Sequence, residues 1–142
     1  MTTLKISDLS VGDWVRCRDR NGRIEGLEAI RSDERVRVSV ESYLGTMFLF
    51  VGIEDIEPIP ITAKILEANG WKKGQRGEFY HYLRLDKNST LYVHASTNGW
   101  RVEITYDAAG ILRTTHLMPD MNSVHDLQHA LRLAGVDKEI NL

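Results

Sequence analysis

The stretch "RVRVSVE", Arg35 to Glu41, alternates polar and apolar residues without a break, and this restricts the fold more than any other feature of the chain. Successive side chains of a strand point to opposite faces, so Val36, Val38 and Val40 share one side and Arg35, Arg37, Ser39 and Glu41 the other. The alternation predicts an antiparallel strand with one dry and one wet face. Its neighbours repeat the pattern. "DWVRCR" puts Val15 and Cys17 on one face and Trp14, Arg16 and Arg18 on the other. "RNGR" contains an Asn-Gly pair, the strongest short hairpin signal, and predicts a turn at Asn21-Gly22. "TMFLFV" is a continuous apolar run and predicts a strand buried on both sides. "IEDIEPIPI" reads as a short edge strand, because Pro58 and Pro60 have no N–H to give a ladder. Five such strands predict a small antiparallel β-barrel over residues 1–60, of the Tudor or Src-homology kind, or an open meander packed on the second module.

Past the prolines the pattern changes. "TAKILEANG" predicts a short helix with Thr62 as N-cap and Gly70 as its stop. Strands are predicted at "EFYHYLRL", "TLYVHA" and "WRVEITYD", with a weaker one at "ILRTTHL"; Asn88 and Asn98-Gly99 supply turns. In "WRVEITYD", Trp100, Val102, Ile104 and Tyr106 share a face. "NSVHDLQHALRLAG" predicts a helix capped by Asn122 or Ser123 and ended at Gly135, and "VDKEINL" a last strand. Residues 61–142 thus form an α-β-β-β-(β)-α module, and the fold class is α+β with an antiparallel sheet.

Composition bounds the rest. At 42% hydrophobic and 27% charged, the chain has enough apolar side chain for a core. One cysteine excludes an internal disulfide and fits a reducing compartment. No segment approaches the ~18 uninterrupted apolar residues of a membrane helix, and "MTTLKISDLS" lacks the apolar centre of a signal peptide. The expectation is a cytoplasmic protein with no membrane partner. Residues 1–60 carry 8 Lys/Arg against 11 Asp/Glu, a net of −3, and residues 61–142 a net of +1. Neither half has the basic excess of a dedicated nucleic-acid binder.

"HDLQH" (His125–His129) resembles the H-E-x-x-H zinc-protease signature, with an aspartate in place of the glutamate. At about 100° per residue, Val124, Leu127, Leu131 and Ala134 form the core stripe, which turns His125 and His129 toward solvent with Leu133 nearby. Aspartate is one methylene too short to reach a zinc-bound water, and nothing fixes His81, His94 or His116 as a third ligand. A solvated face, open to self-association, is favoured over a metal site. No phosphate-cradling loop or nucleophile elbow is present, and Cys17 faces the core. The carboxylates of "GIEDIEP" read as a solvated edge. The sequence therefore predicts no catalytic residue, no metal and no cofactor.

Two surfaces remain. Trp14, Arg16 and Arg18 share a strand face, with Arg20 and Arg23 at the expected turn; an aromatic among arginines can stack a base and pair phosphates. Pairing with Glu25, Glu28 or Glu41 on neighbouring strands is the favoured use of these arginines, given the acidic net charge of the module. In the second module Tyr80, Tyr82, Arg84, Tyr92, His94 and Arg101 share the face away from the helices. That face suits a protein interface, where Tyr and Arg are enriched, or single-stranded RNA, or packing against the N-terminal module. The α-β-β-β-α order suggests a double-stranded-RNA-binding domain, but "PDMNSVHD" lacks the lysines that such a domain places there.

"LSVGDWV", "IEDIEPIPIT" before a short helix ending "NGW", and "VHDLQHALRLAG" ahead of "KEINL" occur in that order over nearly the whole chain. In this the chain resembles small proteins of Bacteroides-type genomes, their phages, prophages and conjugative elements. The resemblance implies a mobile-element setting and a bacterial cytoplasm; it carries over no activity and no site residue. The expected function is non-catalytic binding of a macromolecule, a protein first and nucleic acid second, with a zinc-dependent hydrolase as a remote alternative.

Overall fold

A computed structural model describes residues 4–30, 33–74, 80–96 and 99–142. The chain divides into two compact units, Met1–Ile59 and Pro60–Leu142. Both are built mainly from antiparallel sheet and the second adds two helices, so the class is α+β. No helix among the described residues is long and apolar enough to cross a membrane.

The first unit contains β1 (Trp14–Cys17), β2 (Arg20–Ile30), β3 (Asp33–Ser42), β4 (Gly45–Gly52) and β5 (Ile56–Glu57). They form one sheet in the order β4-β3-β2-β1-β5. The expected closed barrel is not formed: among the described residues β4 and β5 are the two edges and do not pair. The cause is local. β5 has only two residues, pairs only with β1, and runs into Pro58, which cannot extend the ladder. Alternation places Val15, Cys17, Ile24, Val36, Val38, Val40 and Val51 in one buried cluster with Leu9 and Ile56. Leu4 before the 3-10 turn Ile6–Asp8, and Ile53 of the 3-10 turn Ile53–Asp55, pack against it, so turns rather than α-helices cover this core.

This unit departs from expectation at two further places. The β1–β2 turn is Arg18-Asp19, both left-handed (φ 50° and 64°), and Cys17 pairs with Arg20. Asn21 and Gly22 lie inside β2, opposite Arg16 and Val15. A turn at Asn21-Gly22 would set Asp19 opposite Ile24 and put a carboxylate into the apolar row. The left-handed penalty of about 1–2 kcal/mol per residue is the smaller cost. Gly22 answers a packing need instead: a Cβ there would lie 2.5 Å from Val38 Cγ1 and 2.8 Å from the Ser39 carbonyl oxygen. The second departure is in "TMFLFV". Leu49 and Val51 sit opposite Val38 and Val36 on the core side, whereas Phe48 and Phe50 point away and are 55% and 54% exposed. Only one side of this sheet carries a core, so the pleat leaves every second apolar residue outside it.

The second unit runs α1 (Ala63–Ala68), β6 (Lys72–Lys73), β7 (Tyr80–Arg84), β8 (Ser89–Ser96), β9 (Gly99–Ala108), β10 (Ile111–Met121) and α2 (Val124–Leu133). The sheet is a meander, β10-β9-β8-β7-β6. Thr62 caps α1 by accepting the Ile65 N–H at 3.2 Å. Asp86 holds the β7–β8 turn, its carboxylate accepting the N–H groups of Asn88 and Ser89 at 2.7 and 2.9 Å. Of the expected Asn98-Gly99 turn, Asn98 lies outside the described residues. Leu66, Leu91, Val93, Val102, Met121, Val124, Leu127, Leu131 and Ile140 are fully buried and form the core.

α2 ends in a Schellman arrangement: Val136 N–H donates to the Leu131 carbonyl and Gly135 N–H to that of Arg132. The segment beyond it is not the expected strand. Ile140 is buried, and the Asn69 side chain takes the place of a ladder. Its carboxamide donates to the Asn141 carbonyl at 2.9 Å and accepts the Asn141 N–H at 2.7 Å.

Candidate functional sites on two sheet faces

The aspartate of the "HDLQH" helix is taken up by its cap. Ser123 Oγ accepts the Asp126 N–H at 3.3 Å, and the Asp126 carboxylate accepts the N–H groups of Asn122 and Ser123 at 3.3 and 3.4 Å. Asp126 is the third residue of a capping box, so its carboxylate serves the helix start. His125 is not solvent-facing as expected; it is 4% exposed. A helical wheel treats every turn alike, but here Pro60 bridges to Ser123 and Ile61 N–H donates to the Asn122 carbonyl, which brings that segment alongside the first turn. His125 Nε2 lies 3.3 Å from Ser123 Oγ, and its ring meets His129 edge to face at 5.7 Å. His81 and His94 sit on opposite faces of the sheet, opposite Val93 and Tyr80. The side chain of His116 lies outside the described residues. No group of three potential ligands among the described residues is placed to hold a metal. Cys17 is buried, and burial pushes its thiol pKa up, opposed by Arg18 and reinforced by Asp55. That makes it a poor nucleophile.

The second sheet presents the first candidate surface. Register sets Tyr80 opposite His94, Tyr82 opposite Tyr92 and His94 opposite Arg101, so these five residues share the face away from the core. Tyr80 contacts Tyr82, Tyr92 and His94 at 6.3, 5.7 and 5.7 Å, and Tyr92 stacks on His94 at 5.9 Å. Gly74 makes room for this cluster, since a Cβ there would fall 2.6 Å from the Tyr80 ring. Lys72, opposite Tyr82, and Arg101 place cations at its margins. Glu103 lies within the face, its carboxylate 3.2 Å from His94 Nε2 and 13% exposed. Arg84 has the right phase but is engaged elsewhere: its guanidinium donates to the Asp86 and Lys87 carbonyls and ties down the turn.

The outer face of the first sheet is the second surface, and its membership differs from the expected set. Arg18 is in the turn and Arg20 lies opposite Cys17, out of phase with Trp14. Trp14, Arg16 and Arg23 remain, and β3 and β4 add Arg35, Arg37, Phe48 and Phe50. Three guanidiniums lie over rings: Arg23 on Trp14 at 5.2 Å, Arg37 on Phe48 at 4.6 Å and Arg35 on Phe50 at 5.6 Å. Each such pair contributes about 0.5–1 kcal/mol at an exposed site. Sequence reasoning missed the phenylalanines by burying the whole of β4. The signal that could have found them was their shared phase, two residues apart, beside a strand whose own outer residues are arginines.

Comparison with protein-family models, with curated proteins and with solved structures finds no match for this chain.

Proposed function

We propose that this is a non-catalytic binding protein whose second unit engages another protein through Tyr80, Tyr82, Tyr92, His94 and Arg101. The observation that supports it is the composition of that face: four rings packed around Tyr80, cationic margins and a carboxylate, Glu103, held beside the rings against His94. Large rings that bring their own partners lose little freedom on binding, and Tyr and Arg are the residues that anchor protein interfaces. A carboxylate beside the rings opposes a polyanion and suits a mixed-charge protein surface. The strand order of the first unit, with a 3-10 turn joining β4 to β5, supports an open module of the Tudor or Src-homology kind. The resemblance to mobile-element proteins supports a bacterial cytoplasm as the place of action.

The test is affinity capture from a Bacteroides-type lysate with the wild-type chain and with Tyr92→Ala/Arg101→Ala. A stoichiometric partner retained by the first and lost by the second is the expected result. Turnover of a small molecule, with no partner recovered by either protein, would refute the reading.

A further inference from the structure

The outer face of the first sheet points to a second ligand class, independently of the protein-partner reading. We infer that Trp14, Arg16, Arg23, Arg37, Phe48 and Phe50 form a binding platform for single-stranded nucleic acid. Charge and rings are ordered across the strands in a way that suits such a polymer.

The register lays the face out in rows. Trp14, Arg23, Ser39 and Phe48 lie side by side across β1 to β4, and Arg37 and Phe50 form the next row. No acid is paired within either central row, but one stands beside them: Glu25, the exposed extra residue of the β2 bulge, precedes Gly26, which pairs with Arg37. The other carboxylates of this face stand at its ends: Glu57 opposite Arg16 at one, Glu28 opposite Arg35 at the other. Two further acids are already engaged there, Asp33 with Arg35 at 3.1 Å and Glu41 with the Thr46 hydroxyl at 2.8 Å. The other acids of the unit lie largely off the platform. Asp8, Asp19, Glu54 and Asp55 are in turns, Asp13 is buried, and Glu34 is one step out of phase with Arg35, its carboxylate accepting the Ile6 N–H at 3.3 Å. The paired positions of the two central rows thus hold Arg23 and Arg37 and no carboxylate, with Glu25 the one acid beside them.

The chemistry of that centre suits one ligand class. Arg37 is exposed and lies over the Phe48 ring. A guanidinium lying over a ring has its planar face oriented and its N–H edge toward solvent, so it can pair a phosphate while a base stacks beside it. Phe48 and Phe50 are spaced by two residues of an extended strand, about 6.8 Å, which offers two successive stacking positions along one line. Arg16 and Arg35 lie to either side, each with a carboxylate next to it, Glu57 and Asp33 respectively. An extended polymer alternating flat bases with anions at regular spacing matches this surface. A duplex, its bases already stacked internally, does not use the rings.

Fluorescence anisotropy with labelled oligouridylate and oligothymidylate tests this, with the matched duplex and a polyglutamate peptide as competing probes. The single strands are expected to bind the wild-type chain, with an affinity falling with salt at a log–log slope of about −2 to −3, for three to four phosphates paired. Phe48→Thr is expected to weaken binding about tenfold with the slope unchanged, since a ring stacks but pairs no phosphate. Arg16→Ala/Arg37→Ala should lower the slope by about 1.4, whereas Lys64→Ala, on the exposed side of α1, should leave both quantities as they are. All these positions except Arg16, which is half-buried, are exposed, and circular dichroism confirms folding of each variant. Absence of single-strand binding at low salt overturns the inference. So does equal binding of the duplex, or binding indifferent to Phe48→Thr. Displacement by polyglutamate at equal affinity would assign the face to acidic peptides and overturn it as well.

Discussion

The two sheets share a plan and differ in what covers them. Each is a five-stranded antiparallel sheet built largely from consecutive hairpins, yet the first buries valines and a cysteine beneath 3-10 turns, and the second buries larger side chains together with two helices. Their outer faces differ in kind. On the first, arginines lie over separate aromatic rings; on the second, rings contact one another around a histidine–carboxylate pair. The difference shows that strand order alone does not decide the character of an exposed face. Residues one step out of phase with the core decide it, and the core places no demand on them.

The contrast in coverage gives the largest expected effect. If α2 holds the second core together, Leu127→Ala, at a position with no exposure, should cost about 2–5 kcal/mol in urea unfolding. A loss below about 1 kcal/mol would mean that the helix is an accessory. In the first unit the equivalent demand falls on close strand approach. Gly22→Ala should cost about 1–3 kcal/mol, because Val38 and the Ser39 carbonyl cannot both yield. Asn69→Ala should cost a similar 1–3 kcal/mol or so and raise hydrogen exchange at Asn141, since two backbone groups lose their partner.

Smaller effects sharpen the comparison further. Replacing the left-handed pair by Arg18→Asn/Asp19→Gly should stabilise by about 1 kcal/mol, the one change here expected to do so. Cys17 should resist alkylation in the native state. Its raised pKa stabilises nothing extra below the ordinary thiol value of 9.0; as pH rises above that value the unfolded chain ionises and the folded chain does not, so stability falls. Comparing urea midpoints at about pH 8 and about pH 10 for the wild type and Cys17→Val isolates this contribution from other titrating groups.

How much was legible in the sequence depends on what each signal measures. Period-two alternation reports faces, and it placed Val36, Val38 and Val40 as the structure has them, because a strand's pleat depends on no other part of the chain. The Asn21-Gly22 signal reports permissiveness, not need. Glycine is also required where strands crowd, and Val38 supplies that crowding from another strand. "TMFLFV" reports apolarity but not whether both sides have something to pack on. His125 is buried next to the cap residues that Pro60 and Ile61, about sixty residues away, run alongside, and no helical wheel includes them. The candidate faces divide the same way. The tyrosine face could be read from strand phase alone, while the arginine–phenylalanine face needed the pairing of β3 with β4.

The pairing of β1 with β5 has a kinetic consequence. Every other ladder in both sheets joins strands adjacent in sequence, so it can form by local zippering on hairpin timescales. The contacts of Arg16 with Glu57 and Cys17 with Ile56 must instead close a loop of about forty residues, for only two residue pairs in return. The smallest strand in the first unit therefore carries its most non-local pairing, and the same contact brings Ile56 to the core.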